Sequence, residues 1–197
     1  MTAGSLIALA LTLAAGQTVA DVRQLFDAGR YQEVVRAADP AAADGDPGLQ
    51  FLAAQSLAKL KDDDGARRAY ARLAESREEP WGAIGKSAVQ VIDRQLDEAL
   101  ASADQAVRVG ESVAEAHYQR GVVLMARKDY ADAADALAKA IRLAPTLAAA
   151  YYYAGLANSR IKRIDLTAND FEMFIKLAPN APERPEVESI LRTVRGR

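Results

Sequence analysis

One residue pattern is written twice between Ala114 and Pro179. Gly121 of the first copy aligns with Gly155 of the second at a spacing of 34 positions, and Pro145 aligns with Pro179 at the same spacing. Within each copy the apolar residues recur every three or four positions, as on a helix, and do not alternate as in a strand. A fixed period of this length is typical of repeat proteins built from helical hairpins. We therefore expect an all-α chain that grows by stacking one unit on the next.

The better-preserved copy predicts a helix over about 114–127, a short turn, and a second helix that ends before Pro145. Proline ends a helix because its ring removes the backbone donor and clashes with the preceding turn. Gly121 and Ala133 are both small, so we expect the two helices to approach closely where these residues face each other. One such pair leaves an apolar face open, and a stacked neighbour covers it.

This segment resembles the tetratricopeptide repeat (TPR) family. The residues that carry the family pattern are His117, Gly121, Tyr130, Ala133, Leu137, Ala140 and Pro145. The second copy departs from the pattern at Thr167 and at Phe174, where the family has small residues. A bulky Phe174 predicts that a different element follows the last repeat. The resemblance implies a right-handed α-solenoid of about five TPR-like helix pairs with a C-terminal capping helix.

The same alignment divides the chain into units. We expect a solenoid over residues 21–197, with units at about 21–46, 47–77, 78–113, 114–147 and 148–181, and a capping helix at 183–195. In the third unit the turn at 93–95 is expected to be about two residues longer than in the strong copies, and Gly85 then takes the place of Gly121. The apolar side of the capping helix is predicted at Val187, Ile190, Leu191 and Val194.

The N-terminal segment, residues 1–20, contains no charged residue, and Leu6–Ala15 is a ten-residue apolar block. Such a block is too short to span a bilayer but matches the apolar region of a secretory signal. We expect cleavage after Ala20, although residues 1–5 lack the basic side chain with which a signal begins. An uncleaved anchor and a buried first helix are the alternatives. A signal predicts a periplasmic or secreted bacterial protein, and otherwise the chain is cytoplasmic; membrane contact is expected only through an uncleaved N-terminal segment.

Composition excludes several classes of function. The formal net charge of −2 and the pI near 5.6 give no basic field, so we expect no nucleic-acid partner. His117 is the single histidine and the chain has no cysteine, which excludes a histidine-based triad, a multi-histidine metal site and a catalytic thiol. The acidic run 62–64 lacks the alternating ligands of a calcium loop and suits a helix start. We predict no catalytic, cofactor-binding or metal-binding residue and no small-molecule substrate.

In the TPR family the first helix of each repeat lines a concave groove that holds a peptide or a helix. Carried over by position, the resemblance places these residues in the groove: Phe51, Gln55, Gly82, Lys86, Glu115, Tyr118, Val122, Met125, Tyr152, Leu156 and Arg160. Tyrosine is enriched where proteins bind one another, although Tyr118 and Tyr152 could instead shield neighbouring helices. Some TPR proteins clamp the C-terminal carboxylate of chaperones with Lys, Asn and Arg. The corresponding positions here hold Tyr118, Val122, Tyr153 and Leu156, so that ligand is not expected.

The sequence therefore predicts a non-enzymatic scaffold or adaptor that is exported and binds a protein segment in the concave groove. The alternative is a structural subunit of a homo-oligomeric or envelope assembly, which would pack through the edges or ends of the solenoid and leave the groove empty.

Overall fold

A computed structural model describes residues 18–38 and 45–196 of the chain. Within those residues it contains eleven helices and no strand, which confirms the predicted all-α fold. The helices are α1 (Val19–Asp27), α2 (Tyr31–Ala38), α3 (Pro47–Lys59), α4 (Asp63–Leu73), α5 (Trp81–Ile92), α6 (Leu96–Val109), α7 (Ala114–Arg127), α8 (Tyr130–Leu143), α9 (Ala148–Arg160), α10 (Ile164–Leu177) and α11 (Arg184–Val194). The predicted apolar block at 6–15 lies outside the described residues.

Helices α1 to α10 form five pairs, and two or three residues separate the helices of each pair. The chain reverses there through one residue with a positive φ, between 60° and 73°. These residues are Gly29, Lys61, Arg94, Lys128 and Lys162. The expected lengthening of the turn at 93–95 is wrong, because three residues separate α5 from α6 and three also separate α9 from α10.

The close contact within a pair involves the repeated glycine. A β-carbon on Gly121 would lie 2.5 Å from Cγ of Leu137, and one on Gly155 would lie 2.6 Å from the ring of Phe171, 34 residues later in each case. The side chain nearest to Gly121 is therefore that of Leu137 and not that of the smaller Ala133. Ala133 is fully buried in a neighbouring cluster that includes Leu124. Glycine is needed at 121 because the larger Leu137 fills the space beside it.

Short polar side chains cap the first turns of α1, α3 and α4. The Asp62 carboxylate accepts a hydrogen bond from the backbone N–H of Gly65 at 2.9 Å, so part of the acidic run caps α4. Thr18 and Asp21 form a reciprocal capping box at the start of α1. The predicted cleavage point after Ala20 therefore lies inside α1.

The capping helix α11 covers the last pair. Val187 is fully buried, and Leu191 is 7% exposed; both lie in one apolar cluster with Phe174 of α10. Pro185 stands in the first turn of α11, where a missing backbone donor costs nothing. The large side chain at residue 174 thus contacts a helix of a different kind, as the sequence predicts.

The first helices of the pairs line the inner face of the solenoid: α1 packs against α3, α5 against α7 and α7 against α9. Between α3 and α5 the rings of Phe51 and Trp81 make contact. Two ion pairs cross this face: Arg23 of α1 with Glu115 of α7 at 2.9 Å, and Lys59 of α3 with Glu183 at 2.5 Å. In a simple stack each unit contacts only its neighbours. Here the beginning and the end of the solenoid meet, so its inner face is partly closed. None of the described helices combines the length and the apolar character that a bilayer span requires.

Candidate functional site

The inner face carries a continuous row of aromatic rings, whose successive centroids lie 5.2 to 6.3 Å apart. The rings, in order, are Trp81, Phe51, Tyr118, Tyr153, Tyr152 and Phe174. Most neighbouring pairs meet edge to face or at a tilt, which is the favoured geometry for aromatic contacts. The row therefore connects the second pair of helices to the last one.

Beside this row lies a cavity of about 270 Å³, which we call the inner cleft. Its walls are Phe26, Gln55, Ala58, Lys59, Tyr70, Ala88, Val91, Ile92, Tyr118, Gln119, Val122 and Tyr153. Helices α3, α5 and α7 supply most of these residues, because they are first helices that face inward. The wall is mainly apolar, with two amide side chains and one ammonium group.

A second, smaller space of about 30 Å³ lies on the other side of Phe26. The two spaces share Phe26, Lys59, Tyr118 and Tyr153 in their walls. Phe26 is only 8% exposed and meets Tyr31 edge to face at 5.3 Å between ring centroids. The Phe26 ring, which α1 contributes, is thus one part of the partition between the smaller space and the inner cleft, together with Lys59, Tyr118 and Tyr153.

The polar groups at this partition are held by other protein groups. The Lys59 ammonium pairs with Glu183 and lies 5.7 Å from the centre of the Tyr152 ring. The Tyr152 hydroxyl donates a hydrogen bond to Glu186 at 3.1 Å. Burial raises the pKa of Tyr152 and of Tyr118 above the ordinary value of 10.0. Both phenols therefore stay neutral and present uncharged aromatic surface.

Nearby, the carboxyl group of Asp27 on α1 is partly buried, which disfavours its charged form. Burial raises the pKa of Asp27 to about 6, and the attraction of Arg23 opposes this rise only in part. Asp27 lines the smaller space beside Phe26 and Tyr31. The closed end of the inner face therefore contains one carboxyl group that is costly to ionise.

Of the residues in the predicted groove, the structure brings three together in the inner cleft: Gln55, Tyr118 and Val122. Tyr152 lines the smaller space instead. Phe51 and Tyr118 are only 2% and 5% exposed. Both rings pack against other rings of the row, so Tyr118 shields neighbouring helices and also lines the inner cleft.

The other predicted residues lie away from the inner cleft. Glu115 is paired with Arg23, and Met125 packs against the cluster around Leu124. Leu156 packs against the C-terminal cluster, and the exposed Arg160 lies 6.0 Å from the centre of the Tyr130 ring.

The two predicted residues of α5 also need correction. Lys86 is exposed and does not line the inner cleft, and Gly82 lies against the backbone of Ser76 instead. Ala88 lines the cleft, 34 residues before Val122. The assumed longer turn at 93–95 had displaced the third unit by two positions. Without that displacement, Ser87 and not Gly85 corresponds to the glycine at residue 121.

Several residues in the wall of the inner cleft are not among the residues predicted for the groove. Gln119 and Tyr153 line the cleft and stand 34 positions apart, each one residue after a predicted tyrosine. Both positions belong to the repeat pattern, but the sequence does not assign them to the groove. Lys59, Val91 and Ile92 follow the predicted positions by about one helical turn, and Tyr70 comes from a second helix. No periodic signal points to Tyr70.

The part of the chain that the structure describes contains no cluster of His, Asp or Glu side chains that could hold a metal ion. His117 is 7% exposed, and its Nε2 donates to the Glu111 carbonyl oxygen at 2.9 Å. That hydrogen bond gives the single histidine a structural role at the base of α7.

Two family profiles described as tetratricopeptide repeat match this sequence, at residues 49–77 and 114–147. The first covers α3 and α4, and the second covers α7 and α8. A comparison with curated proteins gives no significant match.

Solved structures with a similar fold are TPR proteins. TTC0263, a thermophilic TPR protein of Thermus thermophilus, is 21% identical, with a TM-score of 0.63 over 91% of this chain and 97% of its own. YrrB, a TPR protein described as having an unusual peptide-binding site, is 17% identical, with a TM-score of 0.53 over 87% of this chain and 90% of its own. The Arabidopsis OM64 TPR domain is 18% identical, with a TM-score of 0.55 over 63% of this chain and 98% of its own.

Proposed function

We propose, from the premise that this chain is a tetratricopeptide repeat protein, that it is a non-enzymatic scaffold which binds a short segment of a partner protein in the inner cleft. The observation that carries this proposal is the open, mainly apolar inner cleft of about 270 Å³ on the face formed by the first helices. The peptide-binding site named for YrrB supports the same use of a similar fold.

The size of the inner cleft limits what it can hold. A cavity that encloses a drug-sized ligand measures roughly 300 to 1,000 Å³, so the inner cleft has room for one or two side chains and not for a whole helix. We therefore favour a short peptide with an apolar anchor over the helical ligand that the sequence left open. Gln55 places an amide group at the wall, where it can meet the backbone of such a peptide.

The charge of the wall narrows the choice of anchor. Lys59 is already paired with Glu183, and burial raises the pKa of Tyr70 and of Tyr118, so these two phenols are neutral. Placing a charged anchor against this wall would remove its hydration without a new partner. An uncharged aliphatic or aromatic side chain is the anchor that fits.

Selection from a random peptide library displayed on phage, followed by calorimetric titration of the recovered peptides, tests this function. The selected peptides should share an apolar residue, and Val122→Trp should weaken their binding at least about tenfold by filling the cleft. Asp132→Trp adds the same ring to an exposed position on α8 and should leave the affinity unchanged. Equal affinity of the two variants would place the binding site elsewhere.

A second function, that of a structural subunit, rests on a different observation. Ile164 and Leu166 at the start of α10 are 45% and 46% exposed. Exposed apolar side chains can serve as a contact between copies of a chain. Light scattering after size exclusion tests this, since a concentration-independent monomer would count against it. A dimer that Leu166→Glu dissociates would favour it.

A further inference from the structure

The smaller space beside the inner cleft has a wall of aromatic rings. The rings that line it are Phe26, Tyr31, Tyr118, Tyr152, Tyr153 and Phe174. They come from α1, α2, α7, α9 and α10, so helices from both ends of the solenoid contribute. The face of an aromatic ring carries a partial negative charge and attracts cations. The wall of the smaller space therefore suits a cation as well as an apolar group.

One ammonium group of the protein already lies against this wall. The Nζ atom of Lys59 is 5.7 Å from the centre of the Tyr152 ring, which is within the range of a cation–π contact. The charge of Lys59 is balanced by the Glu183 carboxylate at 2.5 Å. The wall thus accepts an ammonium group where a carboxylate stands beside it.

A second carboxylate in the wall, that of Asp27, shares its cation with another group. Arg23 attracts the Asp27 carboxylate, but the Arg23 guanidinium is paired with Glu115 at 2.9 Å. The attraction only partly offsets burial, which raises the pKa of Asp27 to about 6. A carboxyl group that is costly to ionise and that lines a space open to solvent is typical of binding sites. A further cation in this space would stabilise its charged form.

The size of the smaller space decides which cation fits. Its volume is about 30 Å³, and a water-sized group needs roughly 10 to 15 Å³. An ammonium group is about as large as a water molecule, so it fits together with the methylene group next to it. A planar guanidinium and a quaternary ammonium are both larger. The space therefore favours a primary amine, which is a compact charge on a flexible stem when lysine supplies it.

We propose that the smaller space is a binding site for a primary ammonium group, with the Asp27 carboxylate as its counter-charge and the aromatic rings as its wall. This site deepens the proposed function and rests on it, because the ligand is a lysine side chain of the partner segment whose apolar anchor fills the inner cleft. The two spaces share four wall residues and are therefore adjacent. The partner segment would then be read at two points, one apolar and one basic.

The site can be tested without a peptide. Methylammonium chloride is titrated into the protein, and NMR follows the ring protons of Tyr31 and Tyr152. We expect shifts that saturate in about the millimolar range, because a ligand of so few atoms binds weakly. Tetramethylammonium chloride, which is too large, and sodium chloride, which matches the ionic strength, should give no saturable shift. Absence of saturation with methylammonium, or equal saturation with tetramethylammonium, would overturn the site.

A pair of variants shows whether Asp27 supplies the counter-charge. Asp27→Asn keeps the shape of the side chain and removes its charge, so the saturable shifts should disappear. Glu98→Gln removes the same charge from an exposed position on α6 and should leave them unchanged. Circular dichroism should show the same helical content in both variants. Saturation of Asp27→Asn at the same methylammonium concentration as the unchanged protein would overturn the role of Asp27.

Selected peptides then test the source of the amine. Side chains two residues apart in an extended peptide lie on the same side, about 7 Å from each other. We therefore expect peptides selected on the unchanged protein to carry a lysine two residues before or after the apolar anchor. Replacement of that lysine by methionine should weaken binding at least about tenfold, as loss of a close charge pair does. Replacement by arginine should weaken it at least about threefold, because the guanidinium is too large.

Binding of these peptides to Asp27→Asn completes the test. The lysine and methionine forms should bind this variant equally, because the counter-charge is gone. Peptides that depend on Val122 but lose nothing with methionine would overturn the lysine site while the proposed function stands. Failure to select any peptide would overturn the proposed function, and saturation by methylammonium would then assign the ammonium site to a free amine.

Discussion

Gly121 of α7 lies against Leu137 of α8, so closely that a β-carbon at residue 121 would be 2.5 Å from Cγ of Leu137. Leu137 is fully buried and cannot move away without displacing its neighbours. The same relationship recurs 34 residues later between Gly155 and Phe171. Each of these two repeats therefore pairs a glycine, which has no side chain, with a large side chain on the second helix.

This contact predicts that the effect of Gly121→Ala on the free energy of unfolding changes sign when Leu137 is replaced by alanine. Gly121→Ala alone should lower the free energy of unfolding by about 1 to 2 kcal/mol, since overpacking outweighs the better helix propensity of alanine. Leu137→Ala alone should lower it by about 2 to 5 kcal/mol. In the Leu137→Ala background the clash is gone, so Gly121→Ala should raise stability by about 0.5 to 1 kcal/mol. Urea denaturation of the four proteins measures this cycle, and destabilisation by Gly121→Ala in both backgrounds would refute the contact.

Replacement of Tyr118 should lower the free energy of unfolding more than expected for a residue in an open groove. Its side chain is 5% exposed and packs edge to face against Phe51 and Tyr153. We expect Tyr118→Ala to lower the free energy of unfolding by about 3 to 5 kcal/mol, as truncation of a buried aromatic residue does. Tyr152→Ala should cost less, because that side chain is only partly buried. Thermal and urea denaturation measure both, and equal losses would contradict the difference in burial.

Asp27 should make stability depend on pH in a defined window. Burial raises its pKa from the ordinary 3.8 to about 6, so the folded protein binds this proton more tightly than the unfolded chain does. The ionised group is therefore destabilising above about pH 6, and the penalty is relieved as the pH falls toward about 4.

Asp27→Asn should raise the free energy of unfolding by about 1 to 2 kcal/mol at pH 7 and by much less at pH 4. Urea denaturation of both proteins at intervals from pH 4 to pH 7 gives the difference directly. A difference for Asp27→Asn that stays constant over the whole range would show that its carboxyl group does not titrate in this window.

Export remains a prediction from the uncharged segment 1–20, of which the structure describes only 18–20. Expressed with its native N terminus in a bacterial host, the protein should leave the cytoplasm and begin at Asp21. Mass spectrometry of the N-terminal peptide measures this. An intact Met1 on a soluble cytoplasmic product would contradict export, and a start before Thr18 would keep export but move the cleavage point.

Cleavage after Ala20 would lower the stability of the folded protein. It removes Thr18, whose hydroxyl oxygen accepts a hydrogen bond from the backbone N–H of Asp21 at 3.2 Å. A protein that starts at Asp21 should therefore be about 1 kcal/mol less stable than one that starts at Thr18, the usual effect of losing an N-cap. Calorimetry of the two forms measures this difference.

Local features of the sequence determined the helices and their pairing. Prolines that cannot continue a helix, short polar residues before helix starts and an apolar spacing of three to four act within a few residues. For that reason a single sequence is enough to recognise these signals. The 34-residue period then indicates which helices form a pair. The Phe at residue 174 likewise indicated that the last repeat meets a different helix, α11.

The third unit preserves the repeat pattern less well, and its alignment with the other units was in error. Matching Gly85 to Gly121 shifted the third unit by two positions, because a glycine is a conspicuous residue and Ser87 is not. In the structure Gly85 faces α4, whereas the Ser87 hydroxyl donates to the Ala99 carbonyl of α6 at 2.9 Å. Glycine marks a close approach of some backbone, but the sequence alone does not say of which neighbour.

Only the tertiary structure decided that the solenoid closes on its inner face. Lys59 and Glu183 stand 124 residues apart, a separation that follows no multiple of the 34-residue period. Their meeting depends on the small rotation between each unit and the next, which the packing of many side chains sets and which accumulates along the stack. That accumulated geometry buries Tyr118 and places Phe26 at the end of the inner cleft, and no local residue pattern encodes it.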